Sequence, residues 1–403
     1  MKILLVSQFF FPENFYINQV VATLINKGIK VDVLTAKPNY PEGNIYQGYR
    51  ILGFQKEKYL GCDIYRIPII PRYMGSGFFL ALNYSSFVIS GLLFAPWVLR
   101  RKKYDVIFVY GVSPLFQAIP AIFLRWIKNA RVALWVQDLW PESLEATGYI
   151  CNTFVLGFVK QIVKFIYRHS DILLIQSRGF EYHVRNLAPD KKIIYLPNSV
   201  DNAFIEPPNV LIPYIEGLDG GFPIIFAGNL GVAQNAEVLL ETAILLKDKK
   251  NINFVVIGTG SRWKWMNDQI SKFGLTNLHL PGRFPINNMP GLMRKAKALL
   301  ITLADEPIFA ATIPNKIQAY MAAGRPILAS VNGESAKIIK DSGSGYTTPA
   351  GNAPALARAV LKLTTMSELE LAEMGERGRQ YFDNNFNHDK LMNKLIKIFS
   401  EDL

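Results

Sequence analysis

Residues Asp305 to Leu328, DEPIFAATIPNKIQAYMAAGRPIL, carry the pattern of an α/β fold in one stretch. They read as a strand end, an irregular loop closed by Ile313-Pro314, a helix opening at Asn315, and a Gly324-Arg325-Pro326 break that feeds the apolar run Ile327-Leu328-Ala329. Asn315 can act as N-cap, and Ile317, Tyr320 and Met321 fall three and four apart on one helical face. With Lys316 in the first turn, free backbone N–H groups, the positive end of the helix dipole and an ammonium converge. The arrangement suits an anion, and it equally suits an ordinary loop–helix connection.

Working outward, short β-branched runs alternate with amphipathic helical stretches, as expected for parallel strands covered on both faces. In the first half the runs are Ile3 to Val6, Val31 to Thr35, Val106 to Val109, Val132 to Val136 and Ile172 to Ile175. In the second they are Ile224 to Ala227, Phe254 to Ile257, Leu278 to Leu280, Ala298 to Thr302 and Ile327 to Ser330. The pattern predicts an α/β chain of two doubly wound, Rossmann-like domains facing across a cleft. The expected boundaries are 1–203, a Pro- and Gly-rich linker at 204–221, 222–382, and a final helical segment at 383–403.

The 403 residues carry a net charge of +12, which points to an anionic partner. No recognition motif for nucleic acid accompanies the charge. Two cysteines, Cys62 and Cys151, and four histidines argue against a disulfide framework or a zinc cluster, so a reducing compartment is expected. MKILLVSQFF reads as a first buried strand and not as a signal peptide. The run Phe78 to Leu99 lacks charge and is followed by Arg100-Arg101-Lys102-Lys103. It is long enough to span a bilayer, and it also suits a buried helix or an interfacial helix on an anionic membrane.

Loops at the carboxyl ends of such sheets hold ligands, so their polar residues are the candidates for chemistry. Glu13 and Asn14 follow the first strand, at a helix start that reads either as a cap or as an acceptor site. Asn39 and Tyr40 follow the second, in a stiff loop closed by Pro41. Asp138, between Trp135 and Trp140, reads as a shielded carboxylate suited to general-base work, with Glu142 second; a helix N-cap with core tryptophans is the other reading. Gly228, Gly231 and Gly258 permit close backbone approach to a phosphate, but the glycine spacing is wrong for a nicotinamide cofactor.

Taken in order, FPEN, PNYPEGNIYQGYR, VQDLWPES, LPNSVD, FAGNLGVAQN, VIGTG, LPGRF and IPNKIQAYMAAGRPIL followed by Gly333-Glu334-Ser335 resemble the family 4 glycosyltransferases of GT-B fold. The resemblance runs over essentially the whole chain. It is nearest to the bacterial branch containing L-fucosamine (N-acetylfucosamine) transferases of O-antigen and capsular polysaccharide synthesis. It implies retaining, metal-independent transfer from a nucleotide-diphosphate sugar, with a UDP-sugar as co-substrate and no separate cofactor. Nucleotide is implied in the C-terminal half and acceptor in the N-terminal half, with the last helix crossing back to the first domain. The implied acceptor is a polyprenyl-diphosphate-linked glycan, and the implied location the cytoplasmic face of an anionic inner membrane.

The chain also departs from that family. Its acidic pair would fall at Ala311 and Ala319, and its diphosphate-binding arginine and lysine at Asn229 and Gln234. Lys316, Arg283, Arg325 and the helix starts near Gly231 and Pro314 are left to compensate the diphosphate, with Asn315 at the same turn. Gln318 and Glu334 are candidates for ribose or base, and Asp305 or Glu306 for the donor sugar. Asp138, Lys316 and Arg283 form the expected catalytic set, acting by front-face attack. A non-hydrolysing sugar-nucleotide epimerase and a non-catalytic partner subunit are the alternatives.

Overall fold

The five apolar runs of the first half all become strands, β1 (Lys2–Val6), β2 (Lys30–Ala36), β5 (Val106–Gly111), β6 (Arg131–Val136) and β7 (Ile172–Ile175); β3 (Gln55–Tyr59) and β4 (Cys62–Ile67) lie between β2 and β5, and β8 (Lys192–Tyr195) follows β7. The computed structural model describes residues 1–73, 77–146, 148, 152–205 and 207–401. Cys151, position 206 of the expected linker and the end of the expected last helix at Leu403 lie outside the described residues. The sheet order is β3-β4-β2-β1-β5-β6-β7-β8, and only the β3–β4 pair is antiparallel. That pair escaped the sequence reading because QKEKY in β3 is a charged edge strand whose alternate residues meet water. Since β1 lies between β2 and β5, the chain turns opposite ways on its two sides, and the carboxyl ends there form a switch point.

Helices α1 (Tyr16–Asn26), α2 (Gly77–Val98), α3 (Ala118–Lys128), α4 (Glu142–Ala146), α5 (Thr153–His169) and α6 (Phe180–Leu187) join these strands. The uncharged run at 78–99 is α2, the crossover from β4 to β5. Its row Asn83, Phe87, Gly91 and Ala95 is buried. A Cβ at Gly91 would come within 2.5 Å of Pro120, so glycine lets α2 and α3 approach closely. The outer row Ile89, Leu93 and Trp97 is exposed. Among the described residues α2 alone is long and apolar enough to cross a membrane, yet its inner row is committed to its own sheet and α3.

The second series comprises α7 (Asn202–Ile205), β9 (Phe222–Ala227), α8 (Ala236–Leu245), β10 (Ile252–Ile257), α9 (Trp263–Phe273), β11 (Leu278–Gly282), α10 (Met289–Lys295), β12 (Ala298–Thr302), α11 (Pro307–Ala311), α12 (Lys316–Ala323), β13 (Ile327–Ser330), α13 (Gly333–Ser342), β14 (Gly345–Thr348), α14 (Ala353–Thr364) and α15 (Glu368–Asn385). All pairs in the sheet β11-β10-β9-β12-β13-β14 are parallel, and the switch point lies between β9 and β12. Apolar cores fill both faces.

The chain divides into Met1–Pro197 with Asp389–Leu403, and Asn198–His388. The first boundary falls earlier than 203, and Phe204 to Gly221 is not a free linker. Val200, Phe204, Ile215 and Leu218 bury in the second core and carry their backbone with them. Likewise α15 runs past 382, with Phe382 and Phe386 in that core. The last helix, α16 (His388–Glu401), sends Leu391, Met392, Leu395, Ile398 and Phe399 into the core of the first unit, and Lys394 Nζ donates to the Tyr195 carbonyl.

Candidate functional site

In the second unit the switch point is built from glycine turns stacked on one another. Gly228 sits at φ +120°, Gly258 at φ +146°, and a Cβ on Gly258 would overlap the Gly228 carbonyl. Gly228 N–H donates to Ile257 O and Leu230 N–H to Thr259 O, so the turns hold each other. Below them α12 is fixed by Tyr320, a fully buried residue whose hydroxyl accepts from Ala227 N–H at 2.8 Å and reaches Leu300 O at 3.3 Å. One helical turn before Tyr320, and therefore on the same face, stands Lys316.

The Lys316 ammonium lies 3.6 Å from the Phe226 ring centroid, and a Cβ on Gly228 would come within 2.9 Å of its Cε. The Nζ atom is buried without a hydrogen-bond partner among the described residues. Burial pushes its pKa down to about 7. A buried ammonium is normally paired, so an orphan one beneath a glycine turn is chemically incomplete and suited to an anion.

The other sequence candidates in this unit divide. Asn315 is exposed, and its Oδ1 accepts from Asn198 Nδ2 at 3.1 Å; Pro314 closes the same loop. Gln234 is not a free ligand, because its Oε1 accepts from Asn229 Nδ2 and from Gly231 N–H, both at 3.1 Å. Gln318 is a correction: it is fully buried, and the amide orientation that satisfies it turns its nitrogen back to Pro314 O and Asn315 O. Two residues from Lys316 is about 200° around a helix, which puts it on the opposite face. Arg325 is another, since it precedes β13 at the amino end of the sheet and donates to Arg294 O. Arg283 is exposed after edge strand β11. Glu334 stands half-buried in the first turn of α13, while Asp305 Oδ1 accepts from Asn332 Nδ2 at 2.7 Å. Beside Glu334 a cavity of about 440 Å³ is lined by Asn332, Gly333, Lys337, Lys340 and Thr348.

In the first unit Glu13 corrects the expectation of an acceptor ligand. It is buried, Oε1 accepts from Asn39 N–H at 2.9 Å and Tyr40 N–H at 2.8 Å, and Oε2 accepts from Phe10 N–H at 3.3 Å. Burial pushes its pKa up to about 7 against the pull of those bonds and of Arg66. Asn39 is buried too, and corrected with it, whereas Asn14 and Tyr40 are exposed, with the Arg72 guanidinium 5.1 Å from the Tyr40 ring.

Asp138 is not a helix cap. Its Oδ2 accepts from Ser113 N–H at 3.1 Å and Ser113 Oγ–H at 3.0 Å, and Trp140 Nε1–H donates to Ser113 Oγ at 2.9 Å. Desolvation raises its pKa, opposed by the Ser113 bonds. Trp135 and Trp140 are both core residues. Glu142 Oε1 stands 3.6 Å from His183 Nδ1. Ser113 was missed by sequence reasoning, as no local signal ties a β5 loop to a β6 carboxylate. Among the described residues no group of three or more His, Cys, Asp or Glu could hold a metal.

Residues 14–199 match the family model described as "Glycosyl transferase 4-like domain", and residues 221–366 the one described as "Glycosyl transferases group 1". The chain is 26% identical over 310 residues to the probable glycosyltransferase WbjE of Pseudomonas aeruginosa, covering 74% of this chain and 75% of that one. It is 24% identical over 344 residues to the putative colanic acid biosynthesis glycosyl transferase WcaI of Escherichia coli K12, covering 80% and 82%. Among solved structures it is similar to an E. coli trehalose-6-phosphate protein bound with UDP-2-fluoro glucose, with a TM-score of 0.73, 12% identity and 99% of both chains covered. Anabaena HepE in complex with UDP gives a TM-score of 0.67 at 11% identity over 100% of both chains.

Proposed function

The chain belongs to the group 1 glycosyltransferases of GT-B fold, and from that premise we propose that it moves a sugar from a UDP-linked donor to a polyprenyl-diphosphate-linked glycan in surface-polysaccharide synthesis. The observation that carries the donor half is the unpaired, buried Nζ of Lys316 beneath Gly228. A diphosphate supplies the missing negative charge, and as the anomeric bond ionises the growing charge on the leaving oxygen strengthens that contact. The exposed Arg283 and the backbone N–H groups near Gly231 add to it.

A relative named for colanic acid biosynthesis, and similar structures in complex with UDP or UDP-2-fluoro glucose, support the reading. On the acceptor side Asp138, raised in pKa and oriented by Ser113, takes the proton of the attacking hydroxyl. Retention follows from front-face attack without a covalent enzyme intermediate and without metal. N-acetyl-L-fucosamine is the sugar we assign, and it is the finest part of the proposal. The exposed apolar row of α2, followed by Arg100 to Lys103, suits peripheral attachment to an anionic cytoplasmic membrane face.

A panel of UDP- and GDP-sugars read by thermal shift, followed by sugar transfer to a polyprenyl-diphosphate glycan, tests this. A single UDP-sugar is expected to stabilise the protein by mass action and to be transferred. Isomerisation of the free donor without acceptor, or binding without transfer, contradicts it.

A further inference from the structure

Asn83 is the polar member of the buried row of α2, and its bonds run to loops from other parts of the first unit. Its Nδ2 donates to Ile70 O at 2.6 Å and to Asn39 Oδ1 at 3.3 Å, and its Oδ1 accepts from Gln8 Nε2 at 2.7 Å. Gln8 is itself held by Gln117, whose Oε1 accepts the Gln8 N–H at 2.7 Å. The Asn39 N–H reaches Glu13. The loops after β1, β2 and β4 thus meet on this amide, and the turn after β5 joins them through Gln8. All four of Asn83, Asn39, Gln8 and Gln117 are fully buried, and of their side-chain polar atoms Gln8 Oε1 alone has no partner among the described residues, so the bonds that Asn83 makes are what hold the network to one geometry.

We propose that Asn83 is a positioning residue that fixes the loops carrying Asn14 and Tyr40 to α2, so that the acceptor-side loops are registered against the helix with the exposed apolar row. The inference rests on the reading of those loops as the acceptor side. The two requirements separate in the geometry. If the amide merely filled space on a helix face, leucine would cost packing alone and leave the loops' protection unchanged, because Phe87, Gly91 and Ala95 continue the row without polar bonds to those loops. An amide that positions loops leaves Gln8 Nε2 and Asn39 Oδ1 buried and unpaired when it is lost.

Amide hydrogen exchange on Asn83→Leu, with Asn83→Ser as a smaller lesion that keeps one donor and one acceptor, reads the positioning directly. Protection at Asn39 and Tyr40 is expected to fall about tenfold or more in the leucine variant, to recover partly in the serine variant, and to hold in β5 to β7. In transfer assays the acceptor KM is expected to rise about tenfold, with donor KM unchanged. Unchanged exchange at Asn39 and Tyr40, or a uniform loss across the first unit with serine no better than leucine, overturns the proposal. Loop deprotection with no change in acceptor KM keeps the positioning and removes the acceptor reading of those loops.

Discussion

Lys316 and Glu13 are both ionisable side chains withdrawn from water at the carboxyl ends of parallel strands, and they are solved in opposite ways. The Glu13 carboxyl is saturated by three backbone N–H groups and braces the loop at Asn39 and Tyr40. The Lys316 ammonium rests on the Phe226 ring with no hydrogen-bond partner among the described residues. Burial alone therefore does not mark a binding group. What marks it is a charge whose partners are missing, since folding retains that cost only where something else compensates it.

The largest expected effect is at Lys316. Replacement by methionine should cost at least about a hundredfold in UDP affinity or turnover, the scale of losing a preorganised charge on a leaving group. The pH dependence of stability has a definite sign here. With the native pKa lowered to about 7 from 10.5, the unfolded chain binds more protons between those values, so this group's contribution rises from pH 7 towards 10.5 and its penalty is complete below 7. Diphosphate restores the ammonium, so binding above pH 7 should take up a proton, measurable by calorimetry in buffers of different ionisation enthalpy.

Next comes Glu13→Ala, which orphans three buried N–H groups and should destabilise the first unit by about 3 kcal/mol in urea unfolding. Its sign is the reverse of lysine's. With the native pKa raised to about 7 from 4.5, the native state binds more protons in that window, so the contribution falls as pH rises from 4.5 to 7. Glu13→Gln should flatten that slope; a slope unchanged in the variant would show that the brace is not the titrating group. Asp138→Asn should lower transfer about a hundredfold and Ser113→Ala about tenfold, both mainly in kcat. Smallest is α2: Ile89→Glu with Leu93→Glu should reduce sedimentation with anionic vesicles several-fold while leaving UDP binding intact.

The strands were legible because β-branched runs covered on both faces leave a continuous signal. β3 and β14 were not, since QKEKY and GYTT are edge strands with little apolar content. At the site, Lys316 was legible from a loop entering a helix. The register of that helix was not: Gln318 lies on the face away from Lys316, fully buried, where it cannot meet a ligand of the glycine turns. Tyr320, Ser113 and Asn83 act across strands and crossovers, and such contacts leave no trace in local spacing. The missing acids at Ala311 and Ala319 and the missing basic residues at Asn229 and Gln234 were plain in the sequence, whereas the unpaired nitrogen of Lys316 is visible only in the structure.

Thermal unfolding of wild type and Lys316→Met, each with and without UDP, tests the central claim most directly. The account predicts that the variant without nucleotide melts higher by roughly 2–4 °C for each kcal/mol of relieved burial cost, and that the UDP-induced shift of the wild type disappears. A variant that melts lower and still responds to UDP would contradict it, because Lys316 would then be a packing residue and the diphosphate would be held elsewhere.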